Sequence, residues 1–292
     1  MNSETSAFYC HACHFAGLVQ DLVADVQQVS RISAERWLRD TYGVEFGEPV
    51  DGSMVAETDA RFRAAVDEPE RVRPPESWLS SVRLDWYAEH PEPYQQYMLD
   101  RGLSSEILTE FDCGYDYLSD RLTIPARARD GSLFGIKGRA WEAWKQPRFL
   151  VLGDRRILRY GFDTYNVGEV VFGLHRQPEC STATLVEGEL DAIGLAQMGI
   201  ERPIATGSAN MTLAQARLIV SACDEVVILF DPDAAGRGGV EKVVGMLEPY
   251  VLVRVADSPD VDPCDALRYG REDEVLDAIG SARSSLARRL VL

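Results

Sequence analysis

Five carboxylates fall where the chain leaves an apolar, strand-like run. Glu187 follows ATLV, Asp231 and Asp233 follow VVILF with only Pro232 between them, and Asp262 and Asp265 follow YVLVRVA within SPDVDPCDAL. Like charges brought this close repel unless a cation shares them. Hard oxygen donors suit Mg²⁺ or Mn²⁺, and magnesium takes one or two protein carboxylates while leaving positions for water and substrate phosphate. Pro232 restrains the backbone between the paired acids, and Ala234, Ala235 and Gly236 leave room for a phosphate at the start of the next helix. The pattern points to a metal site for phosphoryl chemistry. Alone, Asp231 or Asp262 would serve equally well as a cap or turn former, and Glu187 as a solvated strand end; their joint order carries the argument.

Three separate loops must aim these acids at one place, and the elements around them show how. From about Ser181, strand ATLVE precedes helix ELDAIGLAQMG, PIATG precedes TLAQARLIVSAC, VVILF precedes GRGGVEKVVGML, and YVLVRVA precedes DALRYGREDEVLDAI. Strands alternating with helices of this length make βαβ units, hence an α/β fold whose parallel four-stranded sheet is flanked by helices. In such sheets the ligand site lies at the carboxyl ends of the strands, where the acids are.

The remainder divides into three zones. Residues 1–45 hold a CHAC knuckle with Cys10 and Cys13, then the helical patterns LVQDLVADVQQV and SAERWLRDTYG, the second opening on Ser33 as a cap. Residues 46–92, rich in Glu, Asp and Pro, read as a linker with one helix around Arg61 to Val66. Residues 93–178 open with helix PYQQYMLDRGL and continue into short strands, RLTIPARA and SLFGIKGRA, separated by the turn Asp130-Gly131: a mixed α+β segment. The α/β unit occupies 179–292.

The 292 residues are 46% apolar and 26% charged, an ordinary globular balance. No apolar run approaches the roughly 20 residues of a membrane span, and MNSETSAFYC lacks a signal peptide's basic and apolar regions, so a cytoplasmic protein without membrane partners is expected. The six cysteines form no disulfide framework in a chain this long. A net charge of -17 argues against a polyanion partner until its distribution is considered. Between Arg121 and Tyr160 stand ten basic residues (Arg121, Arg127, Arg129, Lys137, Arg139, Lys145, Arg148, Arg155, Arg156, Arg159) against three acidic ones. Phe134, Trp141, Trp144 and Phe149 interleave rings that could stack on bases; a solvated sheet face with some core aromatics is the plainer account of the cluster by itself.

Together these motifs resemble a known family. Glu187-Gly188 after a strand, TGSANMT, FDPDAAG and a later acidic loop with Asp-Pro look like the Toprim domain shared by primases and topoisomerases. Upstream, RGLSSEILTEFDCGYD, RLTIPARARDGSLFGIKGRA, PRFL and VFGLHR resemble the first half of the polymerase core of DnaG-type bacterial and phage primases, and FYCHACHFAGLVQDLVADV is similar to the second half of their zinc-binding domain. The match is intermittent but collinear over most of the chain.

The resemblance implies a DNA primase or primase subunit, a nucleotidyltransferase making short RNA primers on single-stranded DNA from NTPs in DNA replication. By position, Glu187 corresponds to the Toprim glutamate, a general base or metal ligand; Asp231 and Asp233 to the metal-binding pair; Asp262 and Asp265 to the later acidic loop. Arg139 of GIKGRA and Arg148 of PRFL, where the family usually has lysine, would hold nucleotide phosphates with help from Lys137. An asparagine expected after PRFL is missing. Joining a 3′-hydroxyl to an α-phosphate needs charge neutralisation by one or two Mg²⁺ or Mn²⁺ ions and no covalent nucleophile. A zinc ribbon needs four ligands, and only Cys10 and Cys13 make a clean pair, so Zn²⁺ is expected only if a second primase polypeptide completes the ribbon in trans; otherwise the knuckle is a remnant. About 27 residues follow the last acidic loop, and no P-loop occurs, which suggests a minimal, phage-like form working with a replicative helicase. A Toprim-type nuclease, or a non-catalytic nucleic-acid-binding replication module, is the alternative.

Overall fold

The computed structural model describes residues 7–9, 16–18, 23, 31–42, 72–153, 160–176, 180–208, 210–231 and 234–285. Asp233, Cys10 and Cys13, and the expected helix at Arg61 to Val66, lie outside them. Near the N-terminus, β1 (Ala7–Tyr9) pairs antiparallel with β2 (Ala16–Leu18). Helix α1 (Arg31–Tyr42) already includes Ser33 in its first turn, so Ser33 is not its cap as expected.

Part of the stretch expected as linker is folded. Helix α2 (Glu76–Val82) buries Leu79 and Val82 against Leu133, Ile136 and Leu152, and Trp86 is buried with its indole donating to the Cys113 carbonyl. The acidic and proline-rich composition masked four apolar residues, Trp78, Leu79, Val82 and Trp86, spaced to fill one side of a helix and its exit. Helix α3 (Pro93–Leu99) starts on a Glu92/Gln95 capping box with Pro93 at N1, and α4 (Ser105–Glu110) on the Ser104 hydroxyl.

Strands β3 (Gly114–Asp116), β4 (Arg121–Arg127), β5 (Leu133–Arg139) and β6 (Phe149–Leu152) form an antiparallel sheet in that order. The β4–β5 turn is the one expected, with Asp130 accepting from Ser132 N and Gly131 at φ 85°. Pro125 costs no ladder bond on the β3 side, because β3 pairs only as far as Gly114 opposite Thr123.

The second sheet is the βαβ unit. Strands β7 (Thr182–Val186), β8 (Pro203–Ala205), β9 (Glu225–Ile228) and β10 (Leu252–Val255) run parallel, and β11 (Arg283–Ser284) adds an antiparallel edge to give the order β11-β10-β9-β7-β8. The four expected parallel strands are there; the fifth is too short and polar to have announced itself. Helices α5 (Glu189–Gln197), α6 (Leu213–Val220) and α7 (Ala234–Leu247) connect them. The final helical pattern is two helices, α8 (Pro263–Tyr269) and α9 (Glu272–Gly280), because Gly270 takes the left-handed conformation that ends a helix.

One apolar core joins the two sheets. Leu122 and Ile124 of β4 pack with Val186, Leu190, Ile193, Ala205 and Val227 of the parallel unit, and with Met98, Leu103 and Leu108 from the α3–α4 region. The alternation of β5 therefore turns Gly135, Lys137 and Arg139 toward the parallel unit, on the same side as their β4 partners Ala126, Ile124 and Leu122.

Candidate metal and nucleotide site

The carboxyl ends of β7 and β9 and the start of α8 bring the acids together. Glu187, one residue past β7, is half-buried, and Asp231 is exposed in the loop after β9. Both crowd the first turn of α7: a Cβ on Gly236 would lie 2.1 Å from the Asp231 carbonyl oxygen and 3.0 Å from Glu187 Oε1. Only glycine permits that approach, which gives the FDPDAAG glycine a steric reason.

Asp191 is a site residue that sequence reasoning passed over. Four residues after Glu187 in the first turn of α5, it presses on Gly188, where a Cβ would come 2.5 Å from Asp191 Oδ2. Burial pushes its carboxyl up to about 8, with the negative charges of Asp262 and Asp231 adding to the effect, against Arg101 and a hydrogen bond from the Cys264 backbone. Asp191 thus feels carboxylates from two other segments of the chain. Its place four residues after Glu187 is the one sequence relation that ties it to the site, and an acid in a helix's first turn is too ordinary to have stood out.

The later acids divide their duties. Asp262 caps α8, accepting from Asp265 N at 2.6 Å, so the ordinary capping role is real; its charge still reaches Asp191. Asp265 Oδ1 is buried without a hydrogen bond and faces Arg101 at 3.8 Å. Asp260 is paired with Arg271 and turned to that use.

Beside the acids stands a cluster of arginines around one phenol. Arg139, buried on β5, donates from Nε and Nη2 to the Tyr97 hydroxyl at 3.2 and 2.9 Å and lies 5.1 Å from the Phe149 ring centroid. Arg148 is exposed, its guanidinium 5.8 Å from the same ring, and Arg101 lies 6.0 Å from the Tyr97 ring. Burial favours the neutral phenol of Tyr97, but Arg139, Arg101 and Arg148 outweigh it and hold the hydroxyl below its ordinary range. Burial also lowers the pKa of Arg139, and the neighbouring Arg101 and Arg148 add to the effect. Three guanidinium groups thus crowd one phenol, a local concentration of positive charge. Tyr97 and Arg101, in PYQQYMLDRGL, were not among the expected site residues.

Much of the basic block is committed to the protein itself. Arg121 donates to the Ser119 and Pro147 carbonyls, Arg127 pairs with Glu76 and Asp112, Arg129 with Ser221, and Lys145 with Asp120. Lys137 is buried against Glu189, with Nζ 2.6 and 2.8 Å from its two carboxylate oxygens. The geometry makes Lys137 a tie between strand β5 and helix α5 rather than an open phosphate ligand. Arg155, Arg156 and Arg159 lie outside the described residues. Of the four aromatics expected as stacking rings, Phe134 is fully buried and Trp141 half-buried in the core, while Trp144 is 75% and Phe149 39% exposed.

The donor chemistry fits Mg²⁺ or Mn²⁺: hard carboxylate oxygens, mutually repelling, with Asp265 Oδ1 unsatisfied. Among the described residues no three acids, histidines or cysteines form a ready-made cage. Asp233, the partner of Asp231, lies outside them.

Residues 184–267 match a family described as Toprim-like. Beyond that unit, the chain is 27% identical to a DNA primase of Myxococcus xanthus over 92% of its own length and 49% of that protein's. It superposes on the zinc-binding and RNA polymerase domains of Aquifex aeolicus primase with a TM-score of 0.62, at 22% identity, covering 99% of this chain and 76% of the other. A DnaG primase catalytic domain solved bound to single-stranded DNA gives 0.59 at 18% identity, over 80% and 81%. The chain therefore contains a Toprim-like domain within the fold of the DnaG-type primase core, and it spans about half the length of the curated relatives it matches.

Proposed function

We propose that this chain synthesises short RNA primers on single-stranded DNA, as a DNA primase or as a primase subunit. One observation carries the reading: Asp191 with the charges of Asp231 and Asp262, and Glu187 meeting Asp231 at Gly236, adjoin an arginine cluster (Arg101, Arg139, Arg148), with Arg101 reaching both. Nucleotidyl transfer needs these two halves, one for divalent cations and one for the triphosphate.

Glu187, Asp191 and Asp231, with Asp233, would hold Mg²⁺ or Mn²⁺, whose chemistry is to acidify the 3′-hydroxyl and neutralise charge on the transferring phosphate. Arg139 and Arg148 would orient the incoming NTP, and Tyr97 holds Arg139 in place for that task. Phe149 and Trp144 offer faces for bases of the template or primer. A replicative helicase and a second primase polypeptide are proposed partners, and Zn²⁺ at Cys10 and Cys13 belongs to that second case. No described helix is long and apolar enough to cross a membrane, in keeping with a proposed cytoplasmic place of action.

The test is template-directed synthesis on single-stranded DNA with labelled NTPs and Mg²⁺ or Mn²⁺, comparing wild type with Asp231→Ala and Arg139→Gln. Short metal-dependent RNA lost in both variants supports the reading. RNA made by Asp231→Ala at the wild-type rate would remove it, and cleavage of nucleic acid without NTPs would favour the nuclease.

A further inference from the structure

Lys137 and Glu189 form an ion pair unlike the others described. Both side chains are more than nine-tenths buried, at 7% and 8% exposure, and both carboxylate oxygens are engaged. A cavity of about 10 Å³ bounded by Tyr165, Val170 and Phe172 adjoins them, about the size of one water, so the pair is nearly dry. The remaining ion pairs have at least one clearly more exposed partner.

Its placement matters more than its burial. Lys137 stands two residues before Arg139 on the same face of β5. Glu189 opens α5, two residues after Glu187 and two before Asp191. On a helix, residues two apart point to different sides, so Glu189 turns to β5 while Asp191 turns to Asp231 and Asp262. The pair thus joins the strand that carries Arg139 to the helix turn that carries the acids. The Gly207 carbonyl, 3.5 Å from Nζ, draws the loop after β8 into the same knot.

We propose that the Lys137–Glu189 pair is a positioning latch that sets the spacing between the arginine cluster and the metal-binding carboxylates. What it positions rests on the function proposed above; that it positions does not. A buried ion pair is weak support for stability, since apolar residues of similar volume often replace it without loss, but its directional bonds fix orientation in a way that apolar contact does not.

Four versions of the 292-residue chain test this: wild type, Lys137→Met, Glu189→Gln and the double variant Lys137→Met/Glu189→Met. Each single variant leaves a buried group without its partner and melts lower than wild type, whereas the double variant recovers the wild-type melting temperature to within about 3 °C. Amide exchange at Ala192, Ile193 and Leu195 is then the deciding readout. The latch predicts exchange faster by at least about tenfold in the double variant despite its restored melting temperature. It also predicts nucleoside triphosphate binding weakened at least about tenfold while Mn²⁺ alone binds within about twofold of wild type. Exchange and nucleotide binding equal to wild type would overturn it, and so would a double variant that stays as unstable as the singles, because the pair would then be plainly structural. A wild-type protein that makes no primer would sink the proposed function; the exchange comparison uses no nucleotide and still judges the latch.

Discussion

Asp191→Asn should make the metal-free protein more stable at neutral pH, although it removes a residue from the site. The Asp191 carboxyl is pushed from an ordinary 3.8 up to about 8, first by burial and then by Asp262 and Asp231. A carboxyl with a folded value above its unfolded value carries no penalty below about pH 4, a growing one through neutrality, and a constant one above about pH 8. At 1.36 kcal/mol per unit, the interval from 3.8 to pH 7 sets a ceiling of about 4 kcal/mol. Asp191 is not wholly shielded from solvent, so about half of that, roughly 2 kcal/mol, is the working figure. In a chain of this size this shifts the melting temperature by about 4–8 °C. Asparagine cannot ionise, and its side-chain oxygen can still accept the hydrogen bond from Cys264. Thermal melts in EDTA should therefore show the variant ahead of wild type at pH 7.5 and level with it at pH 4. Added Mg²⁺ or Mn²⁺ should reverse the order, since a cation favours the ionised carboxylate that only wild type supplies. A gap between the two proteins that stays constant from pH 4 to 8 would refute the acidic cluster as described.

Three further outcomes follow from the same geometry. Arg139→Gln removes a charge-assisted phosphate contact worth about 1.5–3 kcal/mol, so the KM for NTP should rise about 10–100-fold while Mn²⁺ affinity holds, as read by steady-state kinetics beside metal titration. Gly236→Ala forces a Cβ to 2.1 Å from the Asp231 carbonyl oxygen and should weaken metal binding at least about tenfold, whereas Gly238→Ala, two residues on with nothing within 4 Å, should be neutral or stabilise by up to about 1 kcal/mol. Trp144→Ala should leave the melting temperature unchanged, because the ring is 75% exposed. It should nevertheless weaken single-stranded DNA binding by about 5–150-fold in fluorescence titrations if the ring stacks on a base, at about 1–3 kcal/mol per stack.

The βαβ alternation was readable because parallel strands buried on both faces are continuous apolar runs, and ATLV and VVILF leave little choice. The acids at their ends followed from topology. What escaped was local or long-range. Gly270 divides the last helical pattern by a single left-handed residue that periodicity averages over. Arg283–Ser284 becomes a strand only because β10 offers an open edge. The basic stripe is thinner than its composition suggests for another reason: composition counts charges but not their partners, and Arg127, Lys137 and Lys145 are matched by acids 15–52 residues away. Asp191 was hidden by the reverse effect, since an acid in a helix's first turn is so ordinary that nothing in the sequence marks it.

The two charge clusters explain each other. A buried Asp191 whose pKa is raised by burial and by Asp262 and Asp231, and arginines that crowd one phenol, are both unfavourable arrangements for the folded chain. Were they meant to neutralise each other, the short way would be direct pairing, as Lys137 pairs with Glu189. Instead, Arg101 meets Asp265 only at 3.8 Å without a hydrogen bond, and Arg139 spends its donors on a hydroxyl. The latch keeps the clusters adjacent yet separate. Under the proposed function a cation would relieve the first cluster and a triphosphate the second, and a metal-bound triphosphate would relieve both in one event. That coupling would make the metal–nucleotide complex, rather than either component alone, the ligand to which the site is complementary.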